Sequence, residues 1–397
     1  MGTVTDTLPA SFATPSTSIA TVTSAPRPRL LTGAVVRLFV ADFAAMVSFY
    51  LLLSVVPLYA ADRGIGTAGA GLTTGVLMLT AVAAELATPA LAARLGYRRL
   101  LIAGLVLLGA PALVLPAAPS LLALMLVSVV RGIGFAIVVV TVGAIAATAI
   151  PAQRRGEGLG ALGVVAMLPA VVALPLGVWL AGLVGYAAVF AFGGGAALLA
   201  VLPVLFLPEG RSEDQHSSLS TCLRRPELRR PLVMFAAAAV AGGVVVAFLP
   251  SAVTAGVAVP ALFVQNFAAT AARWLAGRRI DRRGPNGMLA AAVLICAIGM
   301  GAAAFTGTPL AVLAGMAAFG TGFGLAQAAA LNTMLARVPS SQYGAVSAGW
   351  NAAYDLGWGS GAIGIGMVAA TAGYPAAFAV AAALVLATLP LARRTGR

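Results

Sequence analysis

Six ionisable side chains, Arg37, Asp42, Glu85, Arg131, Arg273 and Asp355, stand inside otherwise apolar runs of the sequence. A lone charge at the centre of a lipid bilayer costs about 2.5–3.5 kcal/mol on insertion scales, so such residues pair, or line water on the path of a solute or proton. Three are basic and three acidic, and that balance predicts pairing. A helical rise of about 1.5 Å per residue puts Arg131 and Asp355 near the middle of their runs, and Asp42, Glu85 and Arg273 nearer one side. Arg37 is close enough to the start of its run to reach the headgroups. Arg131 has two readings. It is a fixed partner of Asp42 or Glu85, or it favours the charged form of a neighbouring carboxylate in one state and releases it in another, as proton coupling needs.

The stretch around Asp355 reads "SAGWNAAYDLGWGSG". On a helix, Trp350, Tyr354 and Trp358 fall on one face and Asn351 and Asp355 on the adjacent one. An aromatic stripe beside an acid suits a bulky aromatic or cationic ligand, although the same stripe also serves packing. Asn266, Thr270 and Arg273 share a face further along, beside Gln265, and Gln327 and Asn332 are further candidate cavity liners. No metal or cofactor is expected. The two cysteines, Cys222 and Cys296, and the one histidine, His216, do not make a nitrogen–sulfur metal site. No H-E-x-x-H, G-x-S-x-G, G-x-G-D pair or P-loop occurs, so an enzyme or ATP-driven pump is not expected. "GIGF" (132–135) lacks the preceding strand, third glycine and later acid of a dinucleotide loop.

The elements that carry these residues follow from composition. The chain has 397 residues, 61% hydrophobic and 9% charged, with mean hydropathy +1.01. A soluble chain of this size has no interior large enough for so much apolar side chain, so the bilayer is the solvent. The runs are continuous rather than alternating, which favours helices over a barrel. Twelve spans are drawn: 33–60, 68–93, 98–117, 119–149, 157–184, 186–207, 230–253, 256–277, 287–306, 309–336, 343–371 and 373–392. Residues 1–32 form a Thr-, Ser- and Pro-rich tail without a signal peptide, 208–230 a polar linker and 393–397 a second tail. The net charge of +13 is not a nucleic-acid signal. Every arginine outside the spans except Arg63 falls on one side, which places both termini in the cytoplasm of a multi-pass plasma-membrane protein.

The chain repeats itself at a shift of 188 residues. "RGIGF" (131–135) lands on "FGTGF" (319–323), Pro151 on Pro339, Gly156 on Gly344, and "GYAAVFA" (185–191) on "GYPAAFA" (373–379). Glu85 lands on Arg273, Arg94 on Arg282 and Gly96 on Gly284. The expected architecture is all-α: two homologous six-helix bundles, 33–207 and 231–392, around a central cavity, as in transporters with parallel repeats.

On these residues the chain resembles the major facilitator superfamily, and within it the drug and metabolite efflux branch. That family carries a loop G-x-x-x-D-R-x-G-R-R after its second and eighth helices. "GRRIDRRG" matches it at Gly277, Asp281, Arg282 and Gly284. The first copy keeps Arg94, Gly96, Arg98 and Arg99, with Pro89 and Ala93 in place of the glycine and aspartate. Arg131, Gly132 and Gly134 match the family's helix-four arginine and glycines, and the resemblance associates the arginine with proton coupling. Pro175 and Gly177 keep part of the helix-five antiporter motif. The family usually has arginine at both positions equivalent to Glu85 and Arg273, so the acid at 85 is a departure.

The resemblance implies a monomeric transporter in the bilayer that works by alternating access and exports a small amphipathic drug or metabolite in exchange for protons. It also implies that Asp281 latches the cytoplasmic side, near Arg154, Arg155 and Gly156. A uniporter or importer of a sugar-like or other small polar solute is the alternative.

Overall fold

The computed structural model describes residues 30–117, 120–151, 154–209, 225–283, 287–339 and 342–392, besides Gly2. The expected tails, most of the linker, His216 and Cys222 lie outside the described residues.

The described chain is helical throughout. The first half comprises α1 (Gly33–Asp62), α2 (Thr67–Leu95), α3 (Tyr97–Ala117), α4 (Leu121–Ala149), α5 (Arg155–Val184) and α6 (Tyr186–Val204). The second comprises α7 (Pro226–Ala252), α8 (Ala255–Arg283), α9 (Met288–Ala303), α10 (Pro309–Leu335), α11 (343–372) and α12 (374–392). Large apolar side chains on the outer surface, among them Leu86, Leu122, Phe192, Ile298 and Leu310, are exposed, as helices surrounded by lipid require.

Local chemistry explains the breaks. Thr32 and Ser120 cap α1 and α4, each accepting from a backbone N–H three residues on at 3.3 Å. In α1, Pro57 has no N–H for the Leu53 carbonyl, and the helix is interrupted at Ser54. In α3, the helix tightens to a 3₁₀ helix from Ala110, next to Pro111. The spans expected to start at 230 and end at 277 are longer. Pro226 starts α7, a position that proline favours, and α8 runs on to Arg283 because its charged last turns lie beyond the apolar stretch that defined the span.

The 188-residue repeat is present in three dimensions. Gly185 (φ 79°, ψ 163°) turns the chain from α5 into α6, and Gly373 (φ 84°, ψ 170°) does so from α11 into α12. A Cβ on Gly132 would stand 2.4 Å from the Leu77 carbonyl oxygen, and one on Gly320 would stand 2.1 Å from that of Gln265. Gly134 would meet the Leu108 nitrogen at 2.4 Å, and Gly322 the Cys296 nitrogen at 2.6 Å. Each pair of residues, and each pair of partners, is related by 188. Two homologous six-helix bundles therefore face each other, and they meet along α2–α11 and α5–α8, which the repeat makes equivalent.

Candidate functional site

Between the bundles lies a cavity of about 300 Å³. Its lining residues run from mid-helix towards the arginine-bearing loops: Asp42, Met46 and Tyr50 on α1, Glu85 on α2, Phe135 on α4, Met167 on α5, Arg273 on α8, Gln327 on α10, and Trp350, Asn351, Tyr354 and Asp355 on α11. A smaller recess of about 50 Å³ shares Tyr50, Met167, Arg273, Gln327 and Tyr354, and adds Gln265, Asn266, Thr270 and Trp358. Sequence-predicted residues from five helices thus come together. Asn332 does not line it and donates to the Ala328 carbonyl at 2.9 Å.

The acids occupy different settings. Asp42 is buried, and its Oδ2 has no hydrogen-bond partner among the described residues. Glu85 and Asp355, one from each bundle, approach within side-chain hydrogen-bonding reach of each other. Arg273 donates through Nη1 to Gln327 Oε1 at 3.1 Å, and its guanidinium lies 5.8 Å from the Trp350 ring centroid. The aromatic stripe of α11 is one part of a larger stack. Trp350 lies 4.7 Å from Phe235 of α7, and Tyr354 lies 5.0 Å from Trp358. Across the cavity, Phe49 stacks on Phe135 at 3.9 Å.

The expected pairing of the intramembrane charges is corrected by the structure. Among the described residues, no carboxylate lies within 4.0 Å of Arg37, Arg131 or Arg273. Arg131 does not line the cavity and reaches across to α3. Its Nε donates to the Leu108 carbonyl at 3.2 Å, just before α3 tightens to its 3₁₀ turn, and its Nη2 is buried without a partner among the described residues. It is therefore not the partner of Asp42 or Glu85. Arg37 donates to the Phe206 carbonyl at 3.3 Å and covers the Phe206 ring, near the end of its helix as expected.

At the loops, Arg98 binds Glu209 at 2.6 Å and the Leu207 carbonyl at 3.3 Å, with Arg99 3.9 Å from the same carboxylate. Arg94 and Gly96 sit in the same patch. Arg154 is bound by Glu157 at 2.7 Å. Gly277 is open to space and Arg282 is exposed. The Asp281 side chain and Gly284 lie outside the described residues, and so does the latch expected there. In α5, Pro175 lies within the helix, and a Cβ on Gly177 would stand 2.2 Å from the Leu51 carbonyl oxygen, so α1 and α5 touch through backbone.

At the far end of the cavity the bundles are closed. A Cβ on Gly71 of α2 would meet the Ala362 carbonyl of α11 at 2.2 Å and Phe248 at 2.8 Å. One on Gly75 would meet Ile363 at 2.1 Å. The α11 side of this seam is a single π-helical turn, Gly361–Ile365. Beyond it, Tyr59 packs edge to face on Tyr186 and Phe190, Tyr186 donates to Asp62, and Arg63 lies over the Tyr59 ring. Sequence reasoning missed Tyr50, Met46, Met167 and this outer cluster, since none carries a charge in an apolar run except Asp62 and Arg63, which read as loop residues.

No curated protein matches the chain in sequence. Solved structures share its fold. The nucleoside transporter NupG superimposes with a TM-score of 0.74 at 12% identity, covering 92% of this chain and 99% of that one. A bacterial homologue of the human lysosomal transporter Spinster, in an inward-facing, unoccupied conformation, gives 0.70 at 15% identity over 91% of this chain and 95% of that one. The human organic anion transporter MFSD10 gives 0.62 at 17% identity over 91% and 99%. The family model described as Major Facilitator Superfamily matches residues 38–362, and the chain, with its paired six-helix bundles around one cavity, belongs to that superfamily of transporters.

Proposed function

We propose that this transporter is a proton-coupled exporter of a small amphipathic metabolite or drug. It works by alternating access as a monomer in the plasma membrane. Its bundles are 33–207 and 231–392, joined by the cytoplasmic linker 208–230, and both terminal tails, 1–32 and 393–397, are cytoplasmic. The arginine-bearing loops then face the cytoplasm. The cavity opens inward and the Gly71–Ala362 seam closes the outside.

One observation carries the coupling: Glu85 and Asp355 face each other across the line where the bundles must separate. Like charges this close in a low-dielectric site do not both ionise, so the pair holds a proton while the bundles touch. When the bundles part at this point, the shared proton loses one of its two carboxyls and is exchanged with the side then open. Asp42, in the same cavity, is an acid that a substrate cation or a second proton neutralises. The outward direction rests on the resemblance to the efflux branch, of whose helix-five antiporter motif Pro175 and Gly177 remain.

Everted membrane vesicles with an acidified lumen test this reading. The expected result is alkalinisation of the lumen on adding substrate, lost in Glu85→Gln and in Asp355→Asn. Substrate uptake without proton movement, unaffected by either substitution, would instead identify a uniporter for a small polar solute.

A further inference from the structure

Two opposite charges share the cavity wall without meeting. Asp42 is 3% exposed, with Oδ2 buried and unpartnered among the described residues. Arg273 has Gln327 as its hydrogen-bond partner and the Trp350 ring at 5.8 Å, with no described carboxylate within 4.0 Å. Both line the same cavity, and Tyr50 lines it with them. Glu85 and Asp355 keep one negative charge when they share a proton, but neither lies within 4.0 Å of Arg273, so of the charges on this wall Asp42 and Arg273 are the ones without a contacting partner of opposite sign among the described residues. A desolvated charge needs a counter-charge. A simple cation would supply one for Asp42 and none for Arg273, and a simple anion the reverse.

The ring-bearing wall between them is built from Tyr50, Phe135, Trp350 and Tyr354. The volume, about 300 Å³, lies at the small end for ligand pockets. Resting on the reading of this cavity as the transport site, we propose that Asp42 and Arg273 are the two poles of a site for a small zwitterionic aromatic solute. Its ammonium group is set against Asp42, its carboxylate against the Arg273 fork, and its ring against the aromatic wall. Arginine suits the second pole because its planar fork binds carboxylate through two parallel hydrogen bonds.

Equilibrium binding to the purified full chain in detergent, with no gradient, tests the assignment. The probes share one ring and differ in charge: tryptophan (zwitterion), tryptamine (cation) and indole-3-acetate (anion). The expected result is that tryptophan binds the wild type at least about tenfold more tightly than either of the others, roughly the value of one charge-assisted contact. Arg273→Gln should bring tryptamine level with tryptophan, Asp42→Asn should bring indole-3-acetate level, and Arg273→Lys should keep the wild-type order. Melting temperatures without ligand confirm that each variant is folded. Tryptamine binding as tightly as tryptophan to the wild type, no probe binding it, or folded variants that keep the wild-type order would each overturn the proposal. Proton movement is absent from this assay. Failure here with substrate-driven proton movement intact overturns the zwitterion site alone, whereas the expected binding order with no proton movement overturns only the coupling.

Discussion

Four of the six intramembrane charges identified from the sequence, Asp42, Glu85, Arg273 and Asp355, line one cavity, and Arg131 does not. In sequence Arg131 looks like the others. What differs is depth, not face: Arg131 lies on the same stripe of α4 as Phe135, Val139 and Val142, which line the cavity, but one turn beyond them, where it reaches the Leu108 carbonyl. α4 is apolar on all sides, so its pattern does not say where along the helix the cavity ends. The structure gives Arg131 a local task, tying α4 to the Leu108 carbonyl where α3 changes its winding. Arg131→Ala is therefore expected to lower the melting temperature, since a buried carbonyl left unpaired costs about 1–3 kcal/mol before any cavity is counted. Proton movement per folded molecule should be unchanged. Loss of proton movement at an unchanged melting temperature would return Arg131 to the coupling machinery. Tyr50 and Phe135 were illegible for a related reason: an aromatic side chain in an apolar helix is as often packing as site, and only the neighbouring charges distinguish the two.

At the scale of elements, the sequence made twelve spans and a 188-residue repeat legible, because lipid imposes length and charge asymmetry and because glycine at a crossing is hard to replace. Helix ends were less legible where charged turns extend past the bilayer, as at the end of α8. The repeat also separates scaffold from function. Gly132 and Gly320 make the same contact in both halves, whereas Arg131 and Phe319 differ. Gly132→Ala and Gly320→Ala should both lower the melting temperature, because each new Cβ falls within 2.4 Å of a backbone carbonyl oxygen that only a helix shift can move. Gly195→Ala, which meets nothing within 4 Å, should hold or raise it, gaining up to about 1 kcal/mol of helix propensity. Equal effects at all three positions, read by thermal melts in detergent, would show that these glycines do not set the crossings.

For the molecule as a whole, the cavity opens at one end and is closed at the other by α2 against α11. Sequence pattern does not reveal which end is shut, because a glycine-rich seam reads the same whether it is closed or parted. The seam depends on glycine: a larger side chain at Gly75 would occupy the place of Ile363, 2.1 Å away, and so disfavour this closed arrangement. In an alternating-access machine, the lost seam shifts the population towards the opposite opening. If one cavity is exposed to the two sides in turn, cysteine labelling in right-side-out and everted membranes reads it out, with Cys222 and Cys296 replaced and single cysteines at Asn351 or Ala362. The cysteine at 351 should label from the cytoplasmic side while that at 362 is silent, and adding Gly75→Val should reverse both. Labelling at the two positions that rises together, or is unmoved by Gly75→Val in folded protein, would contradict alternating exposure.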